Sequence, residues 1–300
     1  MSDQDPKQAI VAFMRDFSIE ATPHDAERLD EIAETLPPGT SVYMAHPPGV
    51  PIEDIVALAA RLQKLGMQAT PHIIARKLTS EAQLEGALAS LQEAGVTQAL
   101  VVGGDIAADP QAFEGSLEVL KTGLFGKYGF KRVGVAGHPE GSKAIGEPRV
   151  TQALEGKAAF AKDAGFDVYI ATQFGFDPQA FVDWESATTA AGVTLPIHIG
   201  VAGPASLRQL ARFAMLCGVG ASARMLTSRT GAMANLLRTQ APDDMITALA
   251  RHRAAHPGCR MQKLHFFAFG GVLKSARWAR AVLEGQFELN AKATGFEVAS

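Results

Sequence analysis

Eight short apolar segments alternate with amphipathic helical patterns, and this alternation limits the fold more than any other feature of the chain. Most of the segments are nearly continuous apolar runs, as expected for parallel strands that helices cover on both faces. They lie at residues 17–20, 41–45, 67–74, 98–105, 131–139, 166–174, 195–203 and 263–271. Eight strand–helix units with right-handed crossovers predict an α/β fold, a single (β/α)8 TIM barrel over residues 1–300.

Two segments outside this repeat predict additions to the barrel. Residues 6–16 precede the first strand and form an N-terminal extra helix in our prediction, which we expect to cover the barrel floor. Residues 204–262 separate the seventh and eighth strands and are too many for one helix. They predict a helical insertion that begins on the upper rim, where it is placed to form part of a binding wall.

Composition and charge argue against several classes of protein. Hydrophobic residues make up 47% of the chain and charged residues 20%, which predicts a large buried core. The net charge of −3, without a basic run interleaved with aromatics, argues against nucleic-acid binding. The chain shows neither a basic signal-peptide start nor an apolar stretch of about 20 residues. The two cysteines, Cys217 and Cys259, are too few for a disulfide framework. Together these features predict a cytoplasmic protein without a membrane partner. A homo-oligomer is compatible with this composition.

Polar residues gather at the carboxyl ends of the predicted strands, where barrels of this type carry their active sites. They are Glu20, His46, His72, Asp105, His138 and Gln173. Glu20 and Asp105 follow strands one and four and would face each other across the mouth, as an acid and an orienting group do. Each carboxylate has an alternative role as a helix cap or turn residue, and His198 and His265 are expected to pack in the core. A metal-dependent hydrolase needs histidines on its first strand, where this chain has Ser18 and Glu20, so no metal site is predicted.

Five motifs in the same order resemble those of the methylenetetrahydrofolate reductases, which are flavin-dependent (β/α)8 barrels. They are FSIEATP (17–23), GVAGHPEG (134–141), LEGKAAFAKDAGFDVYIATQFGFD (154–177), PIHIGVAGPA (196–205) and LHFFAFG (264–270). The stretch from Lys157 to Phe174 is the most specific of these. The resemblance implies an oxidoreductase of folate one-carbon metabolism that interconverts 5,10-methylenetetrahydrofolate and 5-methyltetrahydrofolate by hydride transfer.

The same resemblance implies roles for individual residues. Glu20 matches the general acid that helps to open the five-membered ring of the substrate, and we expect burial to raise the pKa of its carboxyl group. Asp105 matches an aspartate that contacts the pterin and tunes the flavin, and Gln173 a glutamine that hydrogen-bonds the pterin. Phe176 lies where folate and nicotinamide stack in turn.

The resemblance also implies a cofactor, FAD, and NADH or NADPH as electron donor. The residues expected to hold FAD are His46, His72, His138, Ser142 and Lys157. His138 and Ser142 replace a tyrosine and a histidine of the family, and Gly103 replaces an arginine. Each lost contact costs roughly 1–3 kcal/mol of affinity. Three alternatives remain open: FAD held through substituted contacts, a flavin-poor or flavin-independent folate enzyme, and a folate-binding barrel without redox activity.

Overall fold

A closed barrel of eight parallel strands forms the centre of the molecule, as the sequence predicts. The computed structural model describes residues 5–104, 111–142, 146–219 and 239–298. The barrel strands are β1 (Ser18–Ala21), β2 (Ser41–Met44), β3 (Gln68–Ile74), β4 (Gln98–Val102), β5 (Arg132–Gly137), β6 (Asp167–Gly175), β7 (Ile197–Ala202) and β10 (Met261–Phe267). Neighbours around the barrel follow the chain from β1 to β7, and β10 closes it between β7 and β1.

Helices surround the strands, and capping residues that can be recognised in the sequence lie at the start of some of them. They are α1 (Pro6–Met14), α2 (Leu29–Thr35), α3 (Ile52–Lys64), α4 (Glu81–Glu93), α5 (Ser116–Lys121), α6 (Leu124–Lys127), α7 (Glu147–Ala161), α8 (Pro178–Ala190), α9 (Leu207–Leu216), α10 (Asp243–Ala255) and α11 (Val272–Leu283). Ser80 and Asp177 cap α4 and α8, each accepting a backbone N–H with its side chain. None of the helices in these described ranges is long and apolar enough to cross a bilayer.

Alternate strand residues separate an apolar outer layer from a polar interior. Ile19, Val42 and Ile73 belong to the hydrophobic core between strands and helices. Their neighbours Glu20 and Tyr43 point the other way, because the two faces of a strand alternate. The barrel interior of this chain therefore holds ionisable groups rather than the branched aliphatic layers that are usual for the fold.

The two predicted additions are present. Helix α1 buries Ile10, Phe13 and Met14. Helices α9 and α10 lie between β7 and β10, and residues 220–238 of this insertion fall outside the described part.

Two small antiparallel sheets were not predicted from the sequence: β8 (Ala205–Ser206) with β9 (Thr239–Gln240), and β11 (Phe287–Leu289) with β12 (Phe296–Val298). Both are too short to give a periodic signal.

Candidate functional site

Glu20 lies in the barrel interior between two histidines from other strands. Its carboxylate Oε2 is 3.7 Å from Nε2 of His72 on β3 and 4.0 Å from Nε2 of His265 on β10. The side chains of Glu20, His72 and His265 are only 16%, 13% and 2% exposed. Because β2 separates β1 from β3, the contact with His72 crosses the interior. We call these three residues the acid cluster.

Ser18 orients His265 within the acid cluster. The Ser18 hydroxyl lies 3.0 Å from Nδ1 of His265 and donates to the Leu264 carbonyl at 3.4 Å. These two contacts hold the His265 ring in place and leave its Nε2 facing the Glu20 carboxylate.

The pKa of Glu20 differs in direction from our expectation. Burial alone would raise it, but the interaction with His265 and the charges of His72 and His265 outweigh burial and lower the pKa below its usual 4.5. Burial lowers the pKa of His72 to about 4, so His72 is neutral at pH 7. After burial, the interaction with His265 is the largest of the causes that act on the pKa of Glu20. The expected raised pKa was wrong because the sequence did not show this partner.

Two buried tyrosines support the acid cluster from inside the barrel. The hydroxyl groups of Tyr43 and Tyr169 are 2.6 Å apart, and the Tyr43 ring lies 4.3 Å from that of His265. Burial raises the pKa of Tyr169 to about 12, so this hydroxyl stays neutral. His198 stacks on Tyr169 at 4.1 Å, which confirms the expected core position of this histidine. Gly134 leaves room for the pair, because a Cβ there would lie 2.8 Å from the Tyr169 hydroxyl.

An aromatic wall stands beside the acid cluster at the mouth. It consists of Phe174, Phe176, Phe213, Phe267 and Phe269. The rings of Phe213 and Phe269 stack at 4.2 Å, and Phe176 meets Phe174 edge-on at 5.7 Å. His265 joins the two groups, since its ring lies 4.9 Å from Phe267. Only Phe176 was predicted here; the others come from distant parts of the chain.

A bulge in β6 positions Gln173 at the same mouth. The pairing of β6 with β7 shifts between Ala171 and Phe174, and the Gly200 N–H donates to the Thr172 hydroxyl at 2.8 Å. A Cβ on residue 200 would lie 2.7 Å from the Gln173 carbonyl oxygen, so the close approach requires glycine. The Gln173 amide donates to the Cys217 carbonyl at 3.4 Å. The inserted helix α9 therefore reaches the mouth through Cys217.

The residues expected to hold FAD lie in different environments. The Nε2 of His46 hydrogen-bonds to the Val50 carbonyl at 2.8 Å, and its buried Nδ1 has no partner among the described residues. His72 points into the acid cluster. Lys157 is 7% exposed and lies ten residues after the start of α7, about 15 Å along the axis. Burial lowers the pKa of its amine to about 8.

The remaining expected contacts lie on the rim after β5 or cannot be placed. His138 and Ser142 are half-buried in the turn that follows β5. The Ser142 carbonyl accepts the Gly146 N–H at 2.8 Å, where α7 begins. Asp105 lies outside the described residues.

Arg76 contacts Gly103, the position where the family has an arginine, and the sequence did not predict this contact. Arg76, which follows β3, donates its backbone N–H to the Gly103 carbonyl at 3.0 Å and its Nη1 to the Gly104 carbonyl at 2.7 Å. A third bond, from Nε to the Glu114 carbonyl, fixes the side chain at 3.0 Å. Arg76 therefore stabilises the end of β4.

The described residues do not form a flavin site. His46 is bonded to its own loop, His72 faces Glu20, and Lys157 is buried far along its helix. Of the five side chains expected to hold FAD, His138 and Ser142 are the ones that lie on the described part of the rim after β5. FAD stays a prediction of the resemblance.

Comparisons with known proteins agree with the barrel and identify the family. A protein from Clostridium thermocellum that binds two copies of 5-methyl-5,6,7,8-tetrahydrofolic acid is similar in fold, with a TM-score of 0.60 at 11% identity over 93% of this chain and 98% of that one. Dihydropteroate synthase from Thermus thermophilus gives 0.47 at 16% identity over 89% and 90%. The family model of methylenetetrahydrofolate reductase matches residues 26–269, a range that begins after Glu20. The chain belongs to the methylenetetrahydrofolate reductase family.

Proposed function

We propose that this chain is an oxidoreductase that interconverts 5,10-methylenetetrahydrofolate and 5-methyltetrahydrofolate, with reduced nicotinamide as hydride donor. The observation that carries the proposal is Glu20, held between His72 and His265 in a nearly closed barrel interior beside the aromatic wall. A carboxylate with two imidazoles suits a reaction that moves a proton. Family membership supplies the substrate class.

The aromatic wall gives the substrate a place to bind. Aromatic rings such as that of Phe176 can stack on planar rings, which the pterin and the nicotinamide both have. The Gln173 amide is within reach of the same mouth and offers a donor and an acceptor to the pterin edge. We assign Asp105 to the same edge, as the resemblance implies. The binding of 5-methyltetrahydrofolic acid by the similar Clostridium thermocellum protein supports a folate ligand.

Glu20 and His265 supply the proton that the reaction needs. Opening the five-membered ring breaks a carbon–nitrogen bond, and the leaving nitrogen takes up one proton as the N5-iminium forms. The hydride then adds to the iminium carbon, so one proton and one hydride convert the methylene group to a methyl group. Because Glu20 is ionised at pH 7 in the free protein, it must take up a proton before it donates one to the substrate. Ser18 holds the His265 ring beside this carboxylate.

The hydride comes from the nicotinamide, since no side chain carries one. In this proposal the hydride passes from the nicotinamide to the iminium carbon. The folate and nicotinamide substrates are metabolites of the cytoplasm, where we place the reaction. The free thiols of Cys217 and Cys259 fit a reducing compartment.

A folate-binding barrel without redox activity is the second candidate. The known ligand of the Clostridium thermocellum protein favours it. The acid cluster argues against it, because simple binding does not need a carboxylate that exchanges a proton with a buried histidine.

Anaerobic mixing of the purified protein with NADH or NADPH and 5,10-methylenetetrahydrofolate tests the function. We expect one 5-methyltetrahydrofolate formed for each nicotinamide oxidised, and the absorbance spectrum before and after added FAD shows whether a flavin takes part. Flavin absorbance that bleaches when the nicotinamide is added would contradict direct hydride transfer and indicate a flavin-linked reaction. Folate binding without nicotinamide oxidation would overturn the oxidoreductase and leave the binding protein.

A further inference from the structure

Three metal-ligating side chains meet at the barrel floor, at the opposite end from the acid cluster. They are Glu185 on α8, His252 on α10 and Cys259 in the loop before β10, and their ligand atoms all lie within 4.8 Å of one another. Oxygen, nitrogen and sulfur donors together are the set that zinc and related divalent metals bind. Nothing in the proposed folate chemistry uses them.

A fourth donor lies beside these three. His256 follows His252 by four residues, so both rings lie on one side of the end of α10, stacked at 4.1 Å. The His256 Nδ1 is 2.8 Å from the His252 carbonyl, which can only accept, so Nδ1 donates. In neutral His256 the other nitrogen, Nε2, therefore keeps its lone pair for a metal. The spacing H-x3-H followed by cysteine is typical of zinc ligands.

Glu185 is held in place without using up its carboxylate. The backbone N–H of Arg260 donates to Oε1 at 3.1 Å. The guanidinium is fixed independently, because its terminal nitrogens donate to the carbonyls of Val193 and Glu185 and to the Thr189 hydroxyl. Its Nε is 3.5 Å from Oε1 and makes no hydrogen bond within the described structure. The carboxylate is thus oriented by one N–H and retains lone pairs.

The cluster has an entry path. Cys259 and His256 line a cavity of about 600 Å³ at the floor, beside α1 and the start of β10. Tetrahedral zinc has bonds of about 2.0–2.3 Å, which place its ligand atoms closer together than 4.8 Å. The half-exposed side chains of His252 and Cys259 have room to close that difference.

We propose that Cys259, His252 and Glu185 form a divalent transition-metal site of the zinc class, which His256 completes once its ring turns out of the stack on His252. Binding is a ligand exchange without oxidation or reduction: the Cys259 thiol loses its proton to solvent and the thiolate sulfur bonds the metal. The metal would fix α8 and α10 to the first residues of β10. The role is structural and independent of the reaction at the mouth.

Cobalt titration of the tag-free, chelator-treated full chain tests the site. Cobalt(II) substitutes for zinc and gives a thiolate-to-metal absorption band that reports the sulfur ligand directly. We expect saturation at one cobalt per chain, displacement by zinc, and a rise in the melting temperature with either metal. The band should vanish in Cys259→Ser, and affinity should fall at least tenfold in His252→Gln.

The chain offers a matched control in its other cysteine. Cys217→Ser removes an exposed thiol at the end of α9 and should leave the titration unchanged. A band that survives in Cys259→Ser, or that is lost in Cys217→Ser, would overturn the proposal. The absence of a saturable band in the folded wild-type chain would do the same, and circular dichroism of each variant establishes that it is folded.

Discussion

The acid cluster and the rim after β5 both contain residues that the resemblance singles out, yet the structure places these residues differently. Glu20, His72 and His265 come together within 4.0 Å, although they are far apart in sequence. His138 and Ser142 lie in a turn, and Lys157 is buried along α7. Residues on strands keep their place because barrel register fixes it, whereas residues on turns and helices do not. The proton chemistry of the mouth therefore has more support in the structure than its flavin chemistry.

Replacement of Glu20 should have the largest effect. Glu20→Gln keeps the shape of the side chain but removes the proton exchange with His265, so we expect turnover to fall roughly a hundredfold or more. Folate affinity should change little. Steady-state rates and equilibrium folate binding on the same preparation measure both. Glu85→Gln, on the exposed face of α4, is the control and should turn over like the wild type; an active Glu20→Gln protein would remove Glu20 from the mechanism.

His72 should make the protein less stable as the pH falls. Its pKa is about 4 in the folded chain and 6.5 ordinarily, so the unfolded chain takes up the proton first. At about 1.4 kcal/mol per unit, the free energy of unfolding should drop by about 3 kcal/mol between pH 6.5 and pH 4. Urea unfolding across this range should show a shallower drop in His72→Asn. The control variant His24→Asn, at an exposed position, should show the same pH dependence of the free energy of unfolding as the wild type. The same dependence in His72→Asn would show that His72 does not cause it.

Replacement of Lys157 tests the environment of one of the residues expected to hold FAD. Burial holds its pKa at about 8, below the ordinary 10.5, so its charge destabilises the folded chain most below pH 8 and the penalty disappears as the pH approaches 10.5. Lys157→Met should raise the free energy of unfolding at pH 7 by about 2 kcal/mol, a value discounted for relaxation around the amine. Lys162→Met, exposed at the end of the same helix, is the control. A lower free energy of unfolding in Lys157→Met would mean that the amine has a stabilising partner in the folded chain.

The tyrosine pair should contribute least. Tyr43→Phe removes the 2.6 Å contact and leaves the buried Tyr169 hydroxyl without that partner. We expect a loss of about 1–2 kcal/mol in the free energy of unfolding, measured with urea at pH 7. Tyr128→Phe, whose hydroxyl bonds Glu85 near the surface, should lose less. Equal losses would show that burial adds nothing to this hydrogen bond.

The local sequence pattern predicted the strands of the barrel, but it did not predict the contacts between side chains inside the barrel. The eight strands have apolar runs that a single sequence shows, and most of the predicted segments end within two residues of the structural strands. The fourth and the eighth end earlier than predicted, at Val102 and Phe267. A pair of glycines follows Val102 directly, whereas two residues separate Phe267 from the pair Gly270–Gly271. His265 was expected only to pack, since nothing local shows that a residue from the first strand faces it. The wrong direction for the Glu20 pKa has the same origin, and so does the missed role of Arg76.

The ionisation state of Glu20 is the most direct test of the account of the acid cluster. Infrared difference spectra of the wild type against Glu20→Gln isolate the carbonyl band that a protonated carboxyl group gives. We predict no such band at pH 7 in the free protein, and its appearance only below the ordinary pKa of 4.5. A protonated Glu20 at pH 7 would contradict the account, because the carboxyl group would then hold its own proton without His265.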